Sequence, residues 1–110
     1  MKLGPGDRVT KAVRALEWSH SPSLPVEDDG VQVGSVSGTS LIRSLLEGKV
    51  TQNMKIGDLM DSPLPAVEKG SLLLDPASVL MERGAFVVAK GSKVVGVITT
   101  ADVIRYLAGR

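Results

Sequence analysis

The run Gly96-Val97-Ile98-Thr99-Thr100-Ala101-Asp102 is where residue types and spacing suggest chemistry. A strand-like stretch ends at Thr99 and a helical pattern begins at once. The first backbone N–H groups of such a helix have no partner within it, and its dipole favours negative charge. A phosphate or other polar ligand group could sit there, with the Thr99 hydroxyl donating to it. Asp102, one turn on, accepts two hydrogen bonds, which suits the vicinal hydroxyls of a ribose. The same spacing is nearly a capping box, in which Thr99 caps the helix and Asp102 reaches back, although Glu or Gln is the usual partner. An earlier run, Ser37-Gly38-Thr39-Ser40, has the hydroxyl but no acid at the matching place, so the two runs are not equivalent.

These two runs belong to a repeat. Residues 34–45 match residues 96–107: Val36 with Ile98, Ser37 with Thr99, Leu41 with Val103, Ile42-Arg43 with Ile104-Arg105 and Leu45 with Leu107. Upstream, Val26 matches Val88 and Val33 matches Val95. Each copy reads as helix, strand, hairpin, strand, helix. In the first, Val9, Ala12, Val13 and Leu16 share a helical face and residues 24–27 form a strand. Asp28-Asp29-Gly30 turns the chain, and residues 31–37 return with Val31, Val33 and Val36 on buried faces. Leu41, Ile42, Leu45 and Leu46 form an apolar helical stripe that Gly48 ends. In the second copy, residues 64–68 are a leading strand and 74–83 a helix, with Pro76 in its first turn. Strands 85–90 and 93–99 flank Gly91-Ser92, and residues 100–108 are the closing helix. A polar connection over 48–57 and a short helix over 56–60 join the copies. One copy alone has too little sheet to cover its helices, which predicts two units, 1–50 and 51–110, packed together.

The composition excludes several function classes. Hydrophobic residues at 43% can bury a core, and charged residues at 23% are too few for disorder. A net charge of +1 gives no pull on a nucleic-acid backbone, and 3% aromatic residues leave no stacking platform for bases. The absence of cysteine rules out disulfides and thiolate metal sites, and the single histidine, His20, cannot build a multi-histidine one. His20 reads as a solvated loop residue beside Ser19 and Ser21, with a polar ligand contact as the minor alternative. Trp18 reads as a packing or dimer contact, and Met54, Met60 and Met81 as fillers of core or interface gaps. No nucleophile or acid/base set stands out, so the chain is expected not to be an enzyme. No run approaches a signal peptide or a membrane span, and a cytoplasmic location is expected.

Repeated strand–hairpin–strand–helix units ending in Gly-apolar-apolar-Thr/Ser-x-x-Asp resemble CBS domains, over roughly residues 6–107. Ser23-Leu24-Pro25-Val26 is also similar to that family's strand after the first helix. The resemblance implies a tandem pair (a Bateman module) whose two clefts bind AMP, ATP, S-adenosylmethionine or similar ligands, and it implies a homodimer. Carried over, one cleft would use Thr99, Thr100, Ala101 and Asp102, walled by Ser21, Ser23, Leu24 and Val26. A second, weaker cleft would use Ser37 and Ser40, walled by Ala85, Phe86 and Val88, with Ser40 departing from the family's acid or amide and Phe86 bulky enough to fill the space. Residues 45–50 and 85–88 resemble, more closely, the C-terminal regulatory region of cystathionine β-synthase. That likeness implies S-adenosylmethionine as effector and a pyridoxal-phosphate enzyme domain upstream.

The expectation is therefore an α+β fold of two three-stranded sheets with helices, related by a pseudo-twofold axis and packed sheet to sheet. The stripes Leu41, Ile42, Leu45 and Val103, Ile104, Leu107 would pack between units or chains. The expected function is allosteric sensing of an adenosyl ligand for an attached or partner enzyme, with no cofactor required. The alternative is a structural dimerisation or docking module with degenerate clefts.

Overall fold

A computed structural model of the chain describes residues 2–19, 22–49, 53–70, 80 and 83–109. Helix α1 (Val9–Ser19) precedes a hairpin of β1 (Ser23–Asp28) and β2 (Val31–Ser37), and α2 (Gly38–Leu46) follows directly. A 3₁₀ turn (Ile56–Asp58) and a short strand β3 (Ala66–Glu68) lead to the second hairpin, β4 (Ala85–Lys90) and β5 (Lys93–Thr99), which runs straight into α3 (Thr100–Ala108). The expected helix over 74–83 lies mostly outside the described residues, although Leu80 and Arg83 are helical. His20, Ser21, Pro76 and Met81 also lie outside them.

The hairpins follow from their turns. Asp29 and Gly30 take φ of 53° and 83°, so the two-residue loop has the left-handed pair that matches the twist of the flanking strands. Both hairpins shift register at the same place in the repeat, between Val26 and Glu27 and between Val88 and Ala89.

The α+β class is as expected, but the sheet is arranged differently from two separate three-stranded sheets. All five strands join in the order β1-β2-β5-β4-β3. The two hairpins meet at their turns, where Val31 pairs with Lys93 and so links the copies edge to edge. In the second copy β3 lies parallel to β4 over three residues; in the first, this third strand shrinks to the single bridge between Leu3 and Val26. Gly4-Pro5-Gly6 follow Leu3, and Pro has no N–H to extend the ladder.

Each copy keeps a separate core. Leu3, Val9, Ala12, Ala15, Val26, Val36, Leu41 and Ile56 form the first, and Leu64, Ala85 and Val87, with Val94 and Val97 against them, the second. Ile56 comes from beyond the expected boundary at residue 50, yet it is fully buried in the first core. Hydrogen bonds from Ile56 N to Asp7 O (2.8 Å) and Gly57 N to Pro5 O (2.9 Å) hold it there.

Several apolar residues expected to be buried are not. Val13 and Val33 are exposed, because Ala15 rather than Val13 completes the α1 face and the inward positions of β2 are Gly34 to Val36. Of the α2 stripe only Leu41 is buried; Ile42, Leu45 and Leu46 point outward, as do Ile104 and Leu107 on α3.

Candidate functional site

The sheet brings the start of α2 against the end of the other copy that precedes β4. Between them lies a cavity of about 520 Å³. Ser37, Thr39 and Ser40 line it from the first turn of α2, Pro22 from just before β1, Ser23 and Ser35 from β1 and β2, and Arg83 and Gly84 from the second copy. Asp61 and Ser62 of the connection complete the wall. The size falls in the range of small-molecule pockets, which run from about 300 to 1,000 Å³.

The positions of these groups are fixed by backbone contacts. Ser37 caps α2, its hydroxyl accepting from Ser40 N at 3.0 Å. Asp61 pairs with Ser35 in both directions, N to O at 2.8 Å and O from N at 3.0 Å, and its carboxylate accepts from the Ser40 hydroxyl at 2.5 Å. The Ser35 hydroxyl donates to Ser62 O at 2.7 Å. This approach needs a glycine at 34, where an added Cβ would lie 2.5 Å from Met60 Sδ and 2.9 Å from Asp61 O. On the far wall, Arg83 donates to the carbonyls of Ser62 (3.1 Å) and Pro63 (3.4 Å), and Ser23 donates to Arg83 O (3.2 Å). Gly84, at φ +78°, packs so closely on Pro22 that a Cβ there would meet Pro22 Cγ at 2.6 Å, which brings the two copies into direct contact.

The second motif is a closed capping box. Thr99 Oγ1 accepts from Asp102 N at 3.2 Å, and Asp102 Oδ2 accepts from Thr99 N at 2.9 Å. Asp102 Oδ1 faces Arg105 at 3.8 Å. Thr100 bonds to the Gly84 carbonyl through both its N–H (3.2 Å) and its hydroxyl (3.3 Å), tying the start of α3 to the same Gly84 that lines the cavity. Ala101 is half-buried beside it.

The expected walls sort differently. Ser23, expected opposite Thr99 and Asp102, lines the cavity with Ser37 and Ser40. Val26 is fully buried in the first core and presents no surface to a ligand. Leu24 is half-buried against that core and borders smaller hollows beside Trp18 and beside β5. Phe86 and Val88 do not line the cavity with Ser37 and Ser40: Phe86 lies opposite Ile98 within the second hairpin and leaves the space open. The wall there is Arg83 and Gly84 instead. The repeat held a signal for Arg83, since it matches Ser21 beside the first copy's strand. Nothing in the sequence pattern marks Asp61, whose role comes from how the connection folds back on β2.

Among the described residues no set of three or more His, Asp or Glu side chains could hold a metal ion, and no helix is long and apolar enough to cross a membrane.

Two short units of this topology meet about a shared cleft, and known proteins share the arrangement. Residues 56–109 match the sequence model of the CBS domain. The chain as a whole has the fold of CBS domain proteins. A crystallised CBS domain superposes with a TM-score of 0.81 at 19% identity, covering 98% of this chain and 87% of that one. The structure of CBSX2 in complex with AMP gives 0.75 at 27% identity, over 99% and 87% of the two chains. A conserved CBS domain protein from Thermoplasma acidophilum gives 0.73 at 28%, over 96% and 62%. Among curated proteins no match is found.

Proposed function

We propose that this chain is a tandem CBS pair, residues 1–50 and 51–110, that binds an adenosyl ligand between its copies and passes the occupancy to an attached or partner enzyme. The observation that carries the reading is the cavity itself: one side is the first turn of α2, the other is Arg83 and Gly84 of the second copy. A ligand lodged there touches both copies and favours one arrangement of them, which is the physical requirement for a switch. The AMP complex of a relative at 27% identity supports the ligand class.

Within that class the site favours AMP or ATP over S-adenosylmethionine. A guanidinium and a helix N-terminus both attract a phosphate and both repel a sulfonium. The exposed residues Ile42, Leu45, Leu46, Ile104 and Leu107 support a homodimer through α2 and α3. A second reading, a dimerisation module with degenerate clefts, is favoured by the closed capping box, which occupies Thr99 and one oxygen of Asp102 without any ligand.

Thermal unfolding with AMP, ATP and S-adenosylmethionine in parallel tests the reading. Ligand at about a hundred times its Kd should stabilise the protein by about 2.7 kcal/mol. No shift with any of the three leaves the dimerisation reading standing.

A further inference from the structure

In the repeat, Ser40 stands where the second copy has Asp102, so by sequence the first cleft lacks the acid that could hold a ribose. The fold brings an acid to that place from elsewhere. The Asp61 carboxylate, from the connection between the copies, accepts the Ser40 hydroxyl proton and lines the same cavity. We infer that Asp61 is the diol-binding residue of this cleft, and that together with Arg83 it selects a ribonucleoside phosphate.

Three observations carry this. Asp61 is anchored by its backbone, paired in both directions with Ser35, so the carboxylate is held at the cavity rather than free to swing away. The Ser40 hydroxyl occupies Asp61 Oδ2, which leaves Oδ1 and the remaining lone pairs as acceptors, and a carboxylate suits two adjacent hydroxyls. Arg83 lines the same cavity and forms no ion pair with Asp61 among the described residues, each being held by other partners. The cavity therefore offers an anionic acceptor and a cationic donor that do not neutralise one another. A ribonucleoside phosphate matches both, with its diol toward Asp61 and its phosphate toward Arg83.

The inference rests on the reading of the cavity as an adenosyl site, and the test separates the two. Calorimetric titrations would use AMP and 2′,3′-dideoxyadenosine 5′-monophosphate against the wild-type chain, Asp61→Ala and Asp61→Asn. The Asp61 side chain is exposed and its strand bridge uses only backbone atoms, so both variants should keep the wild-type melting temperature. The expected result is a loss of AMP affinity of about tenfold to a hundredfold in both variants, the scale of a hydrogen bond to a charged group. The dideoxy nucleotide should bind wild type and variants alike. Equal losses for the two nucleotides, or none for AMP, would overturn the role of Asp61 while leaving the adenosyl site intact. A wild-type chain that binds neither nucleotide would overturn the site and the inference with it.

Discussion

At the start of α3, Thr99 and Asp102 exchange hydrogen bonds at 3.2 and 2.9 Å, and the first turn closes on itself. At the start of α2, Ser37 makes the equivalent cap to Ser40 N at 3.0 Å, but Ser40 has no carboxylate to return, and its hydroxyl turns outward to Asp61. The two turns share a backbone and differ in where the acid comes from. In the second copy the acid is local and spends one oxygen on the helix. In the first it arrives from a distant segment and faces the cavity. A motif can thus be lost from a sequence pattern while its charge persists in space, supplied by a neighbour.

The comparison predicts its largest effect at the glycines that lead into the two turns. Gly34→Ala should cost roughly 1–3 kcal/mol, because the new methyl meets Met60 and the Asp61 carbonyl and the connection must shift. Gly96→Ala should change stability by less than about 0.5 kcal/mol, since its nearest neighbour, Val88 Cβ, is 4.0 Å away. Urea unfolding of both variants checks this, and equal costs would show that the connection does not press on the first copy.

The caps come next. Ser37→Ala and Thr99→Ala should each cost about 1 kcal/mol in thermal unfolding, as lost N-caps do. Asp102→Ala should cost part of that, because it removes the return bond to Thr99 N. Ser40→Ala should stay within about 0.5 kcal/mol, since the cap uses the Ser40 backbone N–H and the hydroxyl bond that is lost, to the Asp61 carboxylate, is exposed to solvent. A Ser40→Ala cost as large as that of Asp102→Ala would erase the distinction between the turns.

The smallest effect lies where the connection docks on the first copy. Asp7, whose carbonyl receives Ile56 N, is held below the usual carboxylate range, chiefly by the Gly4 N–H and then by the Lys11 ammonium 3.1 Å away. A carboxyl lowered by folding adds stability above its unfolded pKa and loses it as the pH falls through the folded value. Asp7→Asn should therefore unfold slightly below wild type near neutral pH, and the two curves should merge in strong acid. The matching residue of the second copy is Lys69, which has no carboxyl to play this part.

Much of the fold was legible because it follows from local patterns. The hairpin at Asp29-Gly30, the strand-to-helix junctions at Ser37 and Thr99, and the repeat itself can be read from turn chemistry and periodicity. The joining of five strands through Val31 and Lys93 was not legible, since one long-range pair leaves no periodic trace. The apolar stripe of α2 misled for a related reason: Leu41 and Ile42 are equally apolar, and only the sheet decides that Leu41 packs inward. Of the cavity, Ser37 and Ser40 were visible through the repeat and Arg83 was derivable from it. Asp61 was hidden, because its place depends on the close approach that Gly34 permits. The capping alternative for Thr99 and Asp102 was visible from spacing alone and is the arrangement they adopt.

Whether the cavity between the copies takes an adenosine nucleotide is decided by calorimetric titration of the purified chain with AMP. Binding should saturate, and it should weaken when Arg83 is changed to Ala, because the second copy's wall then loses its cation. Absence of binding heat together with an unchanged melting temperature, or AMP binding that the loss of Arg83 leaves untouched, would contradict this reading of the cavity.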